Sequence, residues 1–355
     1  MTPFPLTPIS VITGFLGSGK TTLLNRLLQH KGFQNSLVII NEFGEVGIDH
    51  LLVSAPAENM RLLANGCLCC EVKGDLVETL TDVSIKRARG EIPAYDRILV
   101  ETTGLADPVP IVQTIVTDTD LSPLYRLDTV VGVVDALHAL SQLATQAEVR
   151  KQIAVSDVLL LSKTDLATSE VRREVEAAAS AINPGAEIIP VQHGEIDPVV
   201  LFGRGERNAA DLERWLATEN RDRANGRSFS PHAADIGTFT LYHDAPVTPA
   251  GLATWLSMLA SFRGAQLLRV KGIVNIAGEP YVIHAVQTVI HEPALLEQWP
   301  SEDRRTRIVF IVRGIERKAM EKTFAAFAMP ESLGKNLQID PAAYAQFIRA
   351  AKQFM

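Results

Sequence analysis

The run Gly14-Phe15-Leu16-Gly17-Ser18-Gly19-Lys20-Thr21 constrains this chain more than any other stretch. It fits G-x-x-x-x-G-K-[ST], the spacing of a phosphate-binding loop. Ile9 to Thr13, just before it, reads as a short β-rich strand, and Thr22 to Leu28, just after it, sets leucines at helical spacing. Strand, loop and helix in that order separate the motif from a chance glycine-rich turn. Gly14, Gly17 and Gly19 let the backbone turn tightly and bring its N–H groups inward as a nest for phosphate oxygens. The helix beginning near Lys20 adds the positive end of its dipole. The Lys20 ammonium is then expected to reach the β- and γ-phosphates, and the Thr21 hydroxyl to ligate Mg²⁺.

From residue 9 to about 191 strands and helices alternate, which predicts an α/β fold: a P-loop NTPase with a mostly parallel sheet and helices on both faces. Ser36 to Asn41 is a second strand, leading to the loop Glu42 to Asp49, rich in Gly and carboxylate, where α/β ligands bind. Asp75 to Arg89 reads as a helix with Leu76, Leu80 and Val83 on one face. The strand Arg97 to Val100 delivers Glu101-Thr102-Thr103-Gly104 to the Walker-B position. There Glu101 can hold a Mg²⁺ water or orient the attacking water, and the N–H of Gly104 can sense the γ-phosphate. Another strand, Asp157 to Leu161, runs into Ser162-Lys163-Thr164-Asp165, which sits where GTPases place Asn-Lys-x-Asp. Asp165 can accept both N1–H and N2–H₂ of guanine, a match adenine cannot make, and Lys163 can lay its stem across the base. A further strand, Ala186 to Val191, precedes Gln192-His193-Gly194, which places His193 to close over the base.

The polar stretch 219–235 reads as a linker between a first domain over 1–218, with its cysteine-containing insertion, and a second over 236–355. In the second, Thr238 to Tyr242 alternates as a half-exposed strand and Pro249 to Phe262 is an apolar-faced helix. Leu267 to Ile276 and Tyr281 to Ile290 read as a hairpin through Gly278-Glu279-Pro280. The strand Thr306 to Val312 and a helix from Glu316 to Ala328 complete a smaller α+β unit.

At 355 residues the chain has room for two domains, and its net charge of −7 argues against a general nucleic-acid binder. Neither an apolar run of membrane-spanning length nor a signal-peptide pattern is evident, so the cytoplasm is the default compartment. All three cysteines fall within four residues, Cys67-Leu68-Cys69-Cys70. That is a poor disulfide framework but a good soft-metal one. Zn²⁺ would want a fourth ligand in a tetrahedron, and Glu42 is an oxygen donor for it; Co²⁺ and Fe²⁺ tolerate the same set. Three sulfurs and one exchangeable ligand suit transfer better than storage.

Four segments in the same order, Gly14 to Thr22, Asn41-Glu42-Phe43-Gly44, Gly66 to Cys70 and Glu101 to Pro108, resemble the CobW-type P-loop GTPases. These are metallochaperones related to the hydrogenase and urease nickel-insertion GTPases. Arg269 to Gly272 through Trp299 looks like the family's C-terminal domain, so the resemblance covers nearly the whole chain. It implies GTP hydrolysis coupled to delivery of a metal, most often zinc, to a client protein; the C-terminal domain is the expected place for that client metalloprotein to bind. Glu42, Cys67, Cys69 and Cys70 match the family's metal-binding elements. Lys20, Thr21 and Glu101 match its nucleotide and Mg²⁺ elements, Lys163 and Asp165 its guanine reader, and Asp49 is a candidate switch carboxylate; Ser18 and Thr22 of the phosphate-loop run are further nucleotide-binding candidates.

Two departures stand out. Ser162 replaces the usual Asn, which is expected to weaken or alter the tie between base loop and phosphate loop. There is also no histidine-rich tract: eight histidines are scattered, which speaks against bulk metal storage. The client and oligomeric state stay open, a homodimer among the options. Other readings are a GTP-dependent activator of a metalloenzyme such as nitrile hydratase, cobalt handling for cobalamin synthesis, and an ATP-using kinase with a structural zinc.

Overall fold

The computed structural model describes residues 6–33, 35–41, 52–57, 60–63, 68–71, 76–203, 236–291 and 293–328. Within 52–71 the description is limited to backbone pairing. The chain divides into two compact units, Met1–Ser180 with Ala186–Asn208, and Ala181–Gly185 with Ala209–Met355.

The first unit is built on a nine-stranded sheet. Its strands are β1 (Thr7–Gly14), β2 (Ser36–Asn41), β3 (Leu52–Ala57), β4 (Met60–Leu63), β5 (Leu68–Glu71), β6 (Arg97–Thr102), β7 (Tyr125–Asp135), β8 (Val158–Ser162) and β9 (Glu187–Pro190). The order is β3-β4-β5-β2-β6-β1-β7-β8-β9. From β5 to β9 every neighbouring pair is parallel, whereas β3–β4 and β4–β5 are antiparallel. Strands such as Leu37-Val38-Ile39-Ile40 are apolar without alternation because helices cover both faces. These helices are α1 (Lys20–Gln29), α2 (Leu76–Ala88), α3 (Val109–Thr117), α4 (Ala139–Thr145), α5 (Ala147–Val155) and α6 (Ser169–Ile182). On α1, Leu23, Leu24, Leu27 and Leu28 bury one stripe. On α2, Leu76, Leu80 and Val83 do the same, as their spacing predicts.

The second unit is antiparallel. Its strands are β10 (Ile236–His243), β11 (Leu267–Ile276), β12 (Glu279–Val286), β13 (Val289–Ile290), β14 (Ala294–Leu295) and β15 (Thr306–Arg313). They run in the order β10-β15-β11-β12-β13, with β14 on β12. Helices α7 (Pro249–Arg263) and α8 (Arg317–Phe327) bury Trp255, Leu256, Met320 and Phe324 in a core with Phe239, Val270 and Phe310 of the sheet. Thr248 caps α7 by accepting from Gly251 N at 3.1 Å, with Pro249 at the first helical position.

The expected hairpin differs in two ways. Ile276 pairs with Glu279, so the turn is only Ala277-Gly278, both at positive φ (52° and 102°), the conformation a two-residue hairpin turn demands. The run Tyr281 to Ile290 is also not one strand. It reverses at Gln287-Thr288, and Val289 pairs back onto Val286. The expected end of the first domain, up to 218, and the linker 219–235 lie outside the described residues, as do Glu42 to Asp49, Cys67 and the chain beyond 328. No helix among the described residues is long and apolar enough to cross a membrane.

Candidate nucleotide and metal sites

A parallel sheet sends the carboxyl ends of its strands to one edge, and the loops that leave β1, β6, β7, β8 and β9 meet there. The loop after β1 ends at Gly19, which caps α1 at φ 96°, a conformation that strains any residue with a Cβ. No acidic side chain occupies the first turn of α1, so nothing in the helix itself competes for its N-terminal N–H groups. Lys20 is largely buried, and its ammonium donates to the carbonyls of Gly14 (2.7 Å) and Phe15 (3.2 Å) across the loop. Thr21 and Thr22 are exposed on the same turn. Ser18 is buried, and its hydroxyl has no hydrogen-bond partner among the described residues.

Strand β6 runs two residues further than its apolar run suggests. Glu101 therefore lies within the sheet, paired with Ile12 on one side and Ile40 on the other, and is 2% exposed. Gly104 then passes under the phosphate loop. A Cβ there would sit 2.7 Å from the backbone nitrogen of Leu16, so a glycine is what permits this contact. The side-chain amide of Gln152 on α5 donates to the carbonyls of Gly104 (3.2 Å) and Ala106 (3.1 Å), and Lys151 forms an ion pair with Asp107. The segment from Glu101 to Asp107 is thus clamped from both sides.

Ser162 is the departure expected to weaken or alter the link between base loop and phosphate loop, and here the link is altered: its hydroxyl lies 2.5 Å from the Ser18 carbonyl oxygen and 3.2 Å from that of Val134. The shorter side chain makes the tie directly. Lys163 takes up positive φ (55°), and its ammonium sits 2.7 Å from Asp135 Oδ2 at the end of β7. Asp165 is partly exposed and has His193 Nε2 3.9 Å away. Gly194 packs against α1, where a Cβ would come 2.8 Å from the Thr22 carbonyl, and Arg26 donates to the His193 carbonyl at 3.3 Å. Phosphate loop, Glu101 segment, Ser162–Asp165 and His193–Gly194 are therefore joined by direct contacts.

Comparison with known proteins places this edge in a family. Residues 8–190 match the CobW/HypB/UreG nucleotide-binding domain, and residues 236–328 match the cobalamin synthesis protein cobW C-terminal domain. The chain belongs to the CobW/HypB/UreG family. It is 35% identical over 322 residues to the zinc chaperone YjiA of Escherichia coli, covering 90% of this chain and 97% of YjiA. It is 31% identical over 255 residues to zinc-regulated GTPase metalloprotein activator 1 of Schizosaccharomyces pombe, covering 66% of this chain and 61% of that relative. The crystal structure of the Zn(II)-bound YjiA GTPase superposes with a TM-score of 0.70 at 30% identity, covering 92% of this chain and all of that one (100%).

In this CobW-family chain Cys69 and Cys70 lie in strand β5, paired in backbone register with Val38 and Ile39 of β2. The last residue of β2, Asn41, pairs with Thr102 of β6 and immediately precedes Glu42. The cysteine strand is therefore two strands from the one that carries Glu101, with β2 between them. Glu42, Cys67 and Asp49 fall outside the described residues. Among those described, no group of three or more His, Cys, Asp or Glu is placed to hold a metal ion. Sequence reasoning passed over two residues at this edge, Asp135 and Gln152. A carboxylate closing the apolar run Val130 to Val134 was the available signal for the first; nothing in the local pattern marks the second.

Proposed function

We propose that this chain is a GTP-hydrolysing metallochaperone that carries Zn²⁺ on Glu42, Cys67, Cys69 and Cys70 and delivers it to a client metalloprotein through its C-terminal unit. The observation that carries the nucleotide half is the set of direct ties, Ser162 to Ser18 and Gly104 to Leu16, that bind base loop and Glu101 segment to the phosphate loop. The names of the relatives, a zinc chaperone and a zinc-regulated GTPase, support the metal half.

In this reading the N–H groups from Gly14 to Thr22 and the Lys20 ammonium cradle the β- and γ-phosphates. Asp165 selects guanine, and His193 borders the base. The Thr21 hydroxyl is an oxygen donor that suits a hard cation and would hold Mg²⁺, with the Glu101 carboxylate holding it through a water. That ion, when bound, neutralises charge on the phosphate oxygens. Glu101 orients water, and Gly104, pressed on Leu16, follows the state of the phosphate loop. No arginine finger is evident, so intrinsic turnover should be slow.

Metal and nucleotide couple through β2, which has the cysteine strand on one side and β6 on the other and runs out at Glu42. The Gly- and carboxylate-rich segment 42–49 is the stretch on which we expect the γ-phosphate to act. Zinc affinity measured with a non-hydrolysable GTP analogue and with GDP tests this. We expect tighter binding with the analogue; equal affinities would remove the coupling. A second reading, a client activator using the cysteines only for docking or structure, is favoured by the name of the S. pombe relative. Client activation that survives Cys69→Ser would support it.

A further inference from the structure

Asp135 closes β7 and pairs with Ser162 in the β7–β8 ladder, so Lys163 starts directly beside its carboxylate. The residue is 2% exposed, yet every acceptor direction is used. Oδ1 accepts from the backbone N–H groups of Leu137 (2.8 Å) and His138 (3.2 Å). Oδ2 takes the Lys163 ammonium at 2.7 Å and lies 2.9 Å from His138 Nδ1. Burial alone would raise this carboxyl's pKa. The Lys163 and His138 hydrogen bonds and the Leu137 N–H outweigh it and hold the group below the ordinary Asp value, hence ionised at neutral pH.

From this geometry we infer that Asp135 is a positioning residue for guanine recognition, holding the tip of Lys163 so that its stem rather than its charge is offered to the base. The inference rests on the base-reading role given to Lys163 and Asp165 above. A free lysine samples many rotamers that base binding would have to quench. An anchored tip and a backbone held at φ 55° remove much of that cost before the nucleotide arrives. The anchor also neutralises the ammonium, leaving Asp165 as the charge that faces the base edge.

The competing view is that Asp135 merely caps the turn into α4. The variant Asp135→Asn separates the two, because the amide oxygen still accepts from Leu137 N–H while the amide nitrogen cannot accept from Lys163. Affinities for GDP and ADP would be measured on the full chain for wild type, Asp135→Asn, Lys163→Met and the double variant. We expect Asp135→Asn to weaken GDP roughly tenfold, as for a lost charge-assisted bond, with ADP changed less than about twofold. In the Lys163→Met background it should add little. Effects that multiply, or equal losses for GDP and ADP, would overturn the inference in favour of a simple cap. Should Asp135→Asn lower the melting midpoint, Asp135→Ser, whose hydroxyl can also accept from Leu137 N–H, is carried through the same cycle. Wild-type protein that binds ADP as tightly as GDP would sink the guanine reading itself, and this inference with it.

Discussion

In the parallel sheet Glu101, Asp135 and Ser162 sit at or one residue from the carboxyl ends of β6, β7 and β8, while in the antiparallel sheet Arg269, Lys271 and His284 lie along the bodies of β11 and β12. The contrast follows from topology. Parallel strands all end on one edge, so polar residues at those ends converge on a shared ligand. Antiparallel strands end alternately at opposite edges, and a polar residue in a strand body must be satisfied locally. Even Asn275, one residue before the end of β11, is satisfied locally: its amide donates to the Arg304 carbonyl at 2.9 Å, and its carbonyl accepts from Gly278 N at 2.9 Å, closing the hairpin. Substitutions at the first edge should therefore act on nucleotide chemistry, and those within the second sheet on stability.

The largest effect should come from Lys20→Ala. Removing a preorganised cation from the transferred phosphate should cut the GTP hydrolysis rate roughly 10²–10³-fold. A turnover assay at saturating GTP reads this, and an unchanged rate would refute the role given to Lys20.

The matching experiment in the other sheet is Gly272→Ala. A Cβ there would meet the Arg307 carbonyl at 2.3 Å and Ile308 Cα at 2.7 Å, backbone atoms of the paired strand β15. Neither can step aside without opening the ladder, so we expect a loss of ~1–3 kcal/mol or more. Urea unfolding of the full chain, followed by tryptophan fluorescence, should show it as a lower midpoint. An unshifted midpoint would mean that the two strands accommodate the extra carbon.

Much of this was legible beforehand where pattern and physics agree. Ser36–Asn41 and the buried stripe of α2 follow directly from apolar spacing, and the β-branched Arg97–Val100 run marks β6. The reversal at Gln287-Thr288 was hidden. Val-Gln-Thr-Val is rich in β-branched residues and offers none of the usual Gly, Pro or Asn, so Gln287 adopts φ 51° on tertiary demand. Helices α4 and α5 are seven and nine residues long and meet at Gln146 without a Gly or Pro break, too short for a clear stripe. At the site, motif residues were legible because their spacing is fixed within one loop. Asp135 reaches Lys163 from 28 positions away, a distance that only the β7–β8 pairing closes.

A smaller effect tests how firmly the two loops of the nucleotide edge are joined. Ser162→Ala removes the hydroxyl that reaches the Ser18 carbonyl, leaving that oxygen buried without this donor. We expect a loss of ~1 kcal/mol, seen as a roughly fivefold weaker GDP affinity. No change would mean that the phosphate and base loops hold their positions independently.

The smallest effect belongs to the antiparallel unit and to acid. Asp303 receives hydrogen bonds from the Arg305 guanidinium and backbone N–H, each 3.0 Å long, with Arg307 also nearby. The Arg305 hydrogen bond is the main reason that its carboxyl is pulled down from 3.8 to about 2, against a modest opposing effect of burial. Because the folded value lies below the unfolded one, the contribution is fully present above about pH 4 and is lost as pH falls through about 2. Asp303 is partly exposed, so solvent screening keeps the contribution small. The difference in urea midpoint between wild type and Asp303→Asn should be constant from neutral pH to about pH 4, then shrink at lower pH. A difference that persists undiminished at pH 2 would show that Asp303 acts through its turn geometry rather than its charge. In that case the local satisfaction of polar groups in this sheet would be a matter of shape, as it is for Asn275.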